Sequence, residues 1–299
     1  MIWKDKSYYF EKDDQTKIHY KMNFNPSDIK DKDLVIVFNY GLVCNFDHFV
    51  YQLEYFHNQG YNVLIHDYRC HFGSTSKDGI KSCNFKNICH DLKCLLDELK
   101  IQNTYMIAHS MGVNVTLEFA RLYPEYLKSM ALISGTVFPP QDVMFDSNIV
   151  DITEPFIKKA KDKLGNFINP IWKNIHKNPV AQVAVWQGGF NMKQTEIAYV
   201  ENYMKKIGEL DPDLFFHLLD EMKAHDIIND LEKIEVPTLI IGGDKDKIIP
   251  NYLQRILKKY IRNSSLYIVK DGSHVPQVDF PKSINERVRA NVSKTLRLL

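Results

Sequence analysis

The sequence contains no long hydrophobic run and no excess of charge of either sign. No stretch of about 18 consecutive apolar residues occurs, so we expect no membrane-spanning helix. The 38 basic and 37 acidic residues give a net charge of +1 and form no basic block, which argues against a nucleic-acid partner. The first residues, Met1–Lys6, include an acid and precede no apolar segment, so we expect no signal peptide and a reduced, cytoplasmic protein.

Cysteines are also few, and no two of them form a C-x-x-C pair. Their odd number and their position in the first third of the chain argue against a disulfide scaffold. A zinc-binding site is an alternative, because four potential ligands lie close in sequence: Cys83, Cys89, His90 and Cys94. Only His90 and Cys94 would share a helix face, so we interpret the cysteines as small apolar side chains and expect no metal. The five are Cys44, Cys70, Cys83, Cys89 and Cys94.

Hydrophobic periodicity predicts strands that alternate with helices. The 299 residues, 44% hydrophobic and 25% charged, are enough for a sizeable core. The predicted strands are Lys17–Phe24, Leu34–Phe38, Asn62–Asp67, Thr104–His109, Ser129–Ile133, Thr238–Ile241 and Ser265–Val269. The predicted helices between them are Asp47–His57, Asn84–Lys100, Val113–Leu122, Tyr252–Tyr260 and Ser283–Leu298. Such alternation predicts an α/β fold with a mainly parallel sheet that is flanked by helices.

The alternation stops between Pro139 and about Leu231, where no convincing strand occurs. Helical stretches interrupted by glycine and proline occupy this region: Thr153–Leu164, Ala181–Trp186, Glu196–Ile207 and Pro212–Met222. We interpret residues 139–225 as a helical cap that is inserted into a core domain of residues 1–138 and 226–299.

A serine with small neighbours follows the predicted strand Thr104–His109. The segment Ala108-His109-Ser110-Met111-Gly112 leads directly into a predicted helix. This pattern is typical of a nucleophile elbow, a sharp strand-to-helix turn whose crowded backbone requires small residues two positions either side of the serine. The alternative is that Ser110 only caps the helix N-terminus.

An acid and a base follow two later strands in the order that such a serine requires. Asp246 comes after Thr238–Ile241 and His274 after Ser265–Val269, so all three groups follow carboxyl ends of strands, where the ligand crevice of a parallel sheet lies. An imidazole activates a serine hydroxyl, and a carboxylate orients the imidazole. Asp244 is an alternative acid and His109 an alternative base, although we expect Asp244 in a turn and His109 in the core.

Together these residues resemble the α/β-hydrolase superfamily, in particular its capped serine esterase and lipase-like branch. Three further segments are similar: Asn39–Leu42 to the oxyanion loop, Asp67–Ser74 to the D-x-R-G-x-G-x-S loop, and Ile234–Thr238 to the segment that re-enters the sheet. The departures are Tyr40 for histidine and Ala108, Cys70 and Phe72 for glycine, and none of them removes a catalytic atom.

The resemblance implies a serine hydrolase that needs no cofactor and no metal. Ser110 would be the nucleophile, His274 the base and Asp246 the acid, while the backbone N–H groups of Met111 and Leu42 would hold the oxyanion. Asp67 and Arg69 would brace their loop. The expected substrate is a small-molecule ester with an apolar acyl or aryl group. Its candidate binding residues are Tyr40, Trp172, Trp186 and Phe190, with Phe156, Phe167 and Met192 as further apolar cap residues.

Several activities share this pattern, so the substrate stays open. A thioesterase, a lactonase, an acyltransferase, a C–C hydrolase or a haloperoxidase would carry the same three groups, and so would a non-catalytic small-molecule receptor. The oligomeric state also stays open.

Overall fold

The fold is a single eight-stranded sheet with helices on both faces. The computed structural model describes residues 6–12, 15–42, 44–139 and 169–298. Its strands are β1 (Tyr8–Glu11), β2 (Lys17–Met22), β3 (Val35–Asn39), β4 (Asn62–His66), β5 (Thr104–His109), β6 (Leu127–Ile133), β7 (Thr238–Gly243) and β8 (Ser264–Val269). They lie in the order β1-β2-β4-β3-β5-β6-β7-β8, with β2 antiparallel to both of its neighbours and the remaining pairs parallel.

The central strands are buried on both faces, which explains their continuous apolar sequences. Every residue of β3, β5 and β7 is buried, as a parallel sheet covered by helices requires. The predicted α/β fold class is confirmed. The strand that periodicity missed is β1, a four-residue edge strand with only half-buried inward positions.

Most of the described helices begin and end within a few residues of the predicted ones, whereas the four-residue helix Pro276–Asp279 was not predicted. They are α1 (Val50–Asn58), α2 (Phe85–Glu98), α3 (Met111–Leu122), α4 (Pro179–Gly189), α5 (Ile197–Glu209), α6 (Pro212–Ala224), α7 (Tyr252–Tyr260), α8 (Pro276–Asp279) and α9 (Pro281–Leu296). Several starts have a side-chain cap: Asn84 accepts a hydrogen bond from Asn87 N–H, and Asn178 accepts from Val180 N–H. In the described part of the chain, no helix is long and apolar enough to cross a membrane.

The region between β6 and β7 is helical where the structure describes it. A helical turn over residues 169–173 precedes α4, α5 and α6, whereas the predicted helix Thr153–Leu164 lies outside the described residues. Buried side chains of α6, among them Leu214 and Leu218, join the main core. Val200 and Met204 of α5 instead form a second cluster with Val275 and Val278, directly after His274. Helix α5 therefore packs against the segment that follows the predicted base.

Candidate active site

Ser110 occupies a strained turn between β5 and α3. Its backbone has φ +53° and ψ −121°, a conformation that L-residues rarely adopt and that is typical of functional turns. The Ser110 N–H donates to Ile133 O at 3.0 Å, which ties the turn to β6. A Cβ added at Gly112 would lie 2.1 Å from Asn39 O, so the turn has no room for a side chain at that position. At the other small position of the turn, the methyl group of Ala108 is fully buried.

The loops after β7 and β8 are joined backbone to backbone. Asp244 N–H donates to Val269 O at 3.0 Å, and Lys245 N–H donates to Gly272 O at 2.9 Å. A Cβ added at Gly243 would lie 2.2 Å from Gly272 O, so glycine permits this close approach. The contact sets the distance between the predicted acid and the predicted base.

Ser110, His274 and Asp246 form a continuous chain of polar contacts. His274 Nε2 lies 3.1 Å from Ser110 Oγ, and His274 Nδ1 lies 3.0 Å from Asp246 Oδ2. Asp246 Oδ1 also accepts the backbone N–H groups of Ile248 and Ile249 at 2.9 and 2.8 Å, which fix the carboxylate. Asp246 and His274 are only 8% and 9% exposed. The alternative acid, Asp244, is exposed to solvent.

Two backbone N–H groups lie beside Ser110 without an acceptor among the described residues. They belong to Met111, the first residue of α3, and to Leu42 in the turn after β3. A Cβ added at Gly41 would lie 3.1 Å from Ser110 Cβ, so this turn passes directly over the serine. The predicted role of these two N–H groups in holding an oxyanion therefore stays a prediction.

The side chain of Tyr40 points away from this turn and into the core. Its ring is fully buried, its hydroxyl donates to Asp67 Oδ1 at 3.2 Å, and it accepts Tyr68 N–H at 3.1 Å. These contacts brace the loop and do not support the predicted role of Tyr40 in the substrate pocket. Arg69 forms a bidentate pair with Asp91 at 2.6 and 2.7 Å, which is also a bracing contact.

Phe72 and Cys70, which stand where the resembling family has glycine, both have left-handed backbone. Their φ values are +40° and +64°, a region in which a side chain costs about 1–2 kcal/mol. The loop therefore adopts left-handed backbone at both positions although neither residue is glycine.

The three aromatic cap residues predicted to bind substrate have different surroundings. Trp172 Nε1 donates to Ile207 O and Leu210 O, and its ring packs on Phe215, so it is held within the helical region. Phe190 and Trp186 belong to the cluster that contacts Val275 beside His274. Trp186 Nε1 is buried without a partner in the described chain. Phe156 and Phe167 lie outside the described residues.

Sequence reasoning missed a buried histidine that contacts His109. His48 Nε2 lies 2.9 Å from His109 Nδ1, and His109 Nε2 lies 2.9 Å from the carbonyl oxygen of His274. Burial lowers the pKa of His48 to about 3 and that of His109 well below its usual range, so both imidazoles are neutral. His109 is thus a buried, hydrogen-bonded histidine that supports the base. The partners of His48 are distant in sequence, and no local pattern indicates them.

A second missed residue, Asp279, fixes the loop that carries His274. Asp279 Oδ2 accepts Ser273 N–H at 2.7 Å, while Oδ1 accepts Thr195 Oγ at 2.7 Å and Asn191 N–H at 3.2 Å. One buried carboxylate therefore connects the base loop to the segment between α4 and α5.

Comparisons with known proteins agree on the architecture. A family model described as alpha/beta hydrolase fold matches residues 35–281. A bifunctional esterase/perhydrolase from Acinetobacter calcoaceticus is 23% identical over 265 residues, which cover 88% of this chain and 90% of that protein. A non-heme chloroperoxidase from Kitasatospora aureofaciens is 25% identical over 257 residues, which cover 80% and 84%. The crystal structure of a bromoperoxidase from Bacillus anthracis superposes with a TM-score of 0.75 at 19% identity, covering 96% of this chain and 100% of that one, which shows a shared fold.

Proposed function

The chain belongs to the alpha/beta hydrolase fold family, and on that premise we propose that it is a serine hydrolase that cleaves carboxylic esters of uncharged apolar acyl or aryl groups. The observation that carries this proposal is the chain of contacts from Ser110 Oγ through His274 to Asp246, at 3.1 and 3.0 Å, on a strained elbow. An active serine hydrolase needs a nucleophile, a base within hydrogen-bond reach and a group that orients the base. All three are present within one buried contact network.

In the proposed mechanism, Ser110 forms an acyl-enzyme. His274 Nε2 takes the Ser110 proton as the oxygen attacks the ester carbonyl, and the imidazolium is stabilised by Asp246 through Nδ1. The Met111 and Leu42 N–H groups stabilise the tetrahedral oxyanion, and losing one such donor typically costs about 2.7–4 kcal/mol of transition-state stabilisation. His274 then protonates the leaving alcohol. Water repeats the sequence with His274 as base and releases the acid.

The apolar preference is supported by the apolar cluster that packs around the residues directly after His274. Phe190, Trp186 and Val275 contribute apolar surface in the cluster after His274. We propose that residues 139–225 form a cap over Ser110 and that this cluster borders the acyl pocket. An apolar pocket wall favours uncharged acyl groups because it offers no charge to compensate an anion.

The proposal is tested by covalent labelling together with turnover. An organophosphonate should add one adduct to the intact mass, mapped to Ser110, and a p-nitrophenyl ester should be hydrolysed with steady turnover that Ser110→Ala abolishes. Labelling at another residue, or undiminished turnover by Ser110→Ala, would contradict the assignment. A single stoichiometric burst without turnover would indicate a receptor instead of an enzyme.

Perhydrolysis is a second candidate activity, because the names of similar proteins include an esterase/perhydrolase and a chloroperoxidase. In this reaction hydrogen peroxide, instead of water, would attack the acyl-enzyme and release a peracid. Adding peroxide to an ester assay and measuring peracid separates the two activities. Peracid formation that requires Ser110 would favour this candidate.

A further inference from the structure

Three side chains that commonly bind metal ions meet beside the elbow. Cys44 follows the oxyanion turn, His48 lies in the 3-10 turn Phe46–Phe49, and His109 ends β5. Their ligand atoms all lie within 4.8 Å of one another, and the residues are 3%, 2% and 2% exposed. Among the residues that the structure describes, this is the one group of three or more such side chains that meets this condition.

His48 Nε2 has two polar neighbours and carries at most one proton. His109 Nε2 faces a carbonyl oxygen at 2.9 Å and must carry the His109 proton, so His109 Nδ1 presents a lone pair to His48 Nε2. The side-chain amide of Gln277 also lies 2.9 Å from His48 Nε2. If the Gln277 amide donates, two imidazole lone pairs face each other at 2.9 Å; if His48 Nε2 carries a proton, both neighbours compete for it.

We propose that Cys44, His48 and His109 form a binding site for a thiophilic divalent transition ion such as Zn²⁺, with the Gln277 side-chain oxygen as a fourth ligand. One cysteine and two histidines with an amide oxygen are a donor set that suits zinc or copper. A cation bound by His48 Nε2 and His109 Nδ1 would take the place of the one proton that these two nitrogens can share. The Gln277 Oε1 atom is buried without a partner, so turning the amide brings an unused acceptor to the ion.

The separation of the two imidazole nitrogens is close to the one that a shared ion requires. Two nitrogens that bind one tetrahedral zinc at about 2.05 Å stand about 3.3 Å apart, compared with 2.9 Å between the two imidazoles here. Groups behind the ligands already support this arrangement. His109 Nε2 donates to His274 O, and His48 Nδ1 faces the Tyr199 hydroxyl at 3.4 Å. Metal-binding histidines usually have such a second partner, which sets the tautomer.

Binding is a simple ligand exchange. A metal–sulfur bond forms at Cys44 as the thiol proton leaves to solvent, and the histidines bind through neutral nitrogens. No electron is transferred. The proposed ligands do not include Ser110, His274 or Asp246, although His109 donates to the carbonyl oxygen of His274.

The test is a Co²⁺ titration of the untagged, reduced chain under anaerobic conditions. Cobalt is the probe because a Co²⁺–thiolate bond gives a sulfur-to-metal charge-transfer band, and tetrahedral Co²⁺ gives intense visible bands. We expect both to saturate at one equivalent and to disappear on addition of Zn²⁺. If the folded wild-type chain gives no charge-transfer band, the proposal is wrong. The readout does not depend on turnover, so failure of the proposed function leaves it unchanged.

Variants then locate the ligands. Cys44→Ser should lose the charge-transfer band, and His48→Gln should weaken Co²⁺ binding more than about tenfold. Cys94→Ser is the matched control, because Cys94 Sγ lies 3.7 Å from His90 Nε2 in a separate, more exposed pair. A band that persists in Cys44→Ser and vanishes in Cys94→Ser would move the site to this pair and overturn the proposal. Circular dichroism verifies that each variant is folded, and His48→Gln provides the test if Cys44→Ser is not.

Discussion

At the scale of single residues, Asp244 and Asp246 show how environment separates two identical side chains on one loop. Asp246 is buried and receives two backbone N–H groups as well as His274 Nδ1, whereas Asp244 is exposed. A carboxylate held in this way can fix the tautomer and the orientation of an imidazole. An exposed carboxylate on the same loop has no such influence on His274.

We expect Asp246→Asn to keep the fold and to reduce kcat by about 10⁴-fold, because asparagine favours the wrong imidazole tautomer. Asp244→Asn, the matched control, should stay within a few-fold of the wild type. Steady-state hydrolysis of a p-nitrophenyl ester measures both. The reverse ranking would assign the acid role to Asp244.

At the scale of structural elements, the elbow between β5 and α3 depends on close approach of backbones. Gly112 lies against Asn39 O and Tyr40 O at the end of β3, whereas Ala108 is already accommodated on the other side of Ser110. The two small positions of the motif are therefore unequal in this chain. A side chain at position 112 would clash with backbone atoms, whereas the methyl group of Ala108 is tolerated.

Gly112→Ala should lower the free energy of unfolding by about 3 kcal/mol, at the upper end of overpacking costs, because its Cβ would meet backbone that cannot move aside. It should also abolish activity, because the same shift displaces Ser110. Ala108→Gly should cost about 1 kcal/mol or less and keep activity. Urea denaturation and ester hydrolysis measure the two effects. Equal stability of Gly112→Ala and the wild type would contradict the packing argument.

The helices between β6 and β7 lead to a prediction about substrates. If the cluster of Phe190 and Trp186 borders an acyl pocket, kcat/KM for p-nitrophenyl esters should rise about fourfold per added methylene, equivalent to about 0.8 kcal/mol, until the pocket is full, and then fall. Phe190→Ala should move the optimum to a longer chain, with the exposed Met192→Ala as the control. A rate that is independent of chain length would mean that the cap is not a selective acyl pocket.

At the scale of the whole molecule, buried neutral histidines make stability depend on pH. Burial lowers the pKa of His48 and His66 to about 3, and it also lowers the pKa of His71 and His109. Between these values and the unfolded pKa of about 6.5, the unfolded chain binds more protons than the folded chain. These histidines therefore do not change the free energy of unfolding above about pH 6.5. They lower it as the pH drops below that value.

We expect the free energy of unfolding to fall by up to about 1.4 kcal/mol per pH unit for each of His48 and His66, and His71 and His109 should act in the same direction. Urea denaturation at pH 7.5, 6.5 and 5.5 measures the slope. His66→Gln should reduce the slope by up to about 1.4 kcal/mol per pH unit. A slope that His66→Gln does not change would show that His66 takes up a proton in the folded state.

The order of elements and the three candidate catalytic groups follow from local properties of the chain. Apolar runs of strand length alternate with helical periods, and Ser110, Asp246 and His274 each come directly after such a run. Parallel strands end at the same edge of a sheet, so groups that follow several strands meet there whatever the sequence distance between them. The alternation of strands and helices was therefore enough to predict the sheet. The position of the three side chains directly after strands was enough to predict that they lie close together.

Contacts between distant segments could not be predicted in this way. The pairing of His48 with His109, the bridge from Asp279 to Thr195 and the inward direction of Tyr40 each depend on which surfaces of separate elements face each other. Periodicity reports which side of an element is buried, but it carries no information about the partner on that side. Buried polar groups are stabilised by specific partners at hydrogen-bond distance, and those distances exist only after the elements have packed.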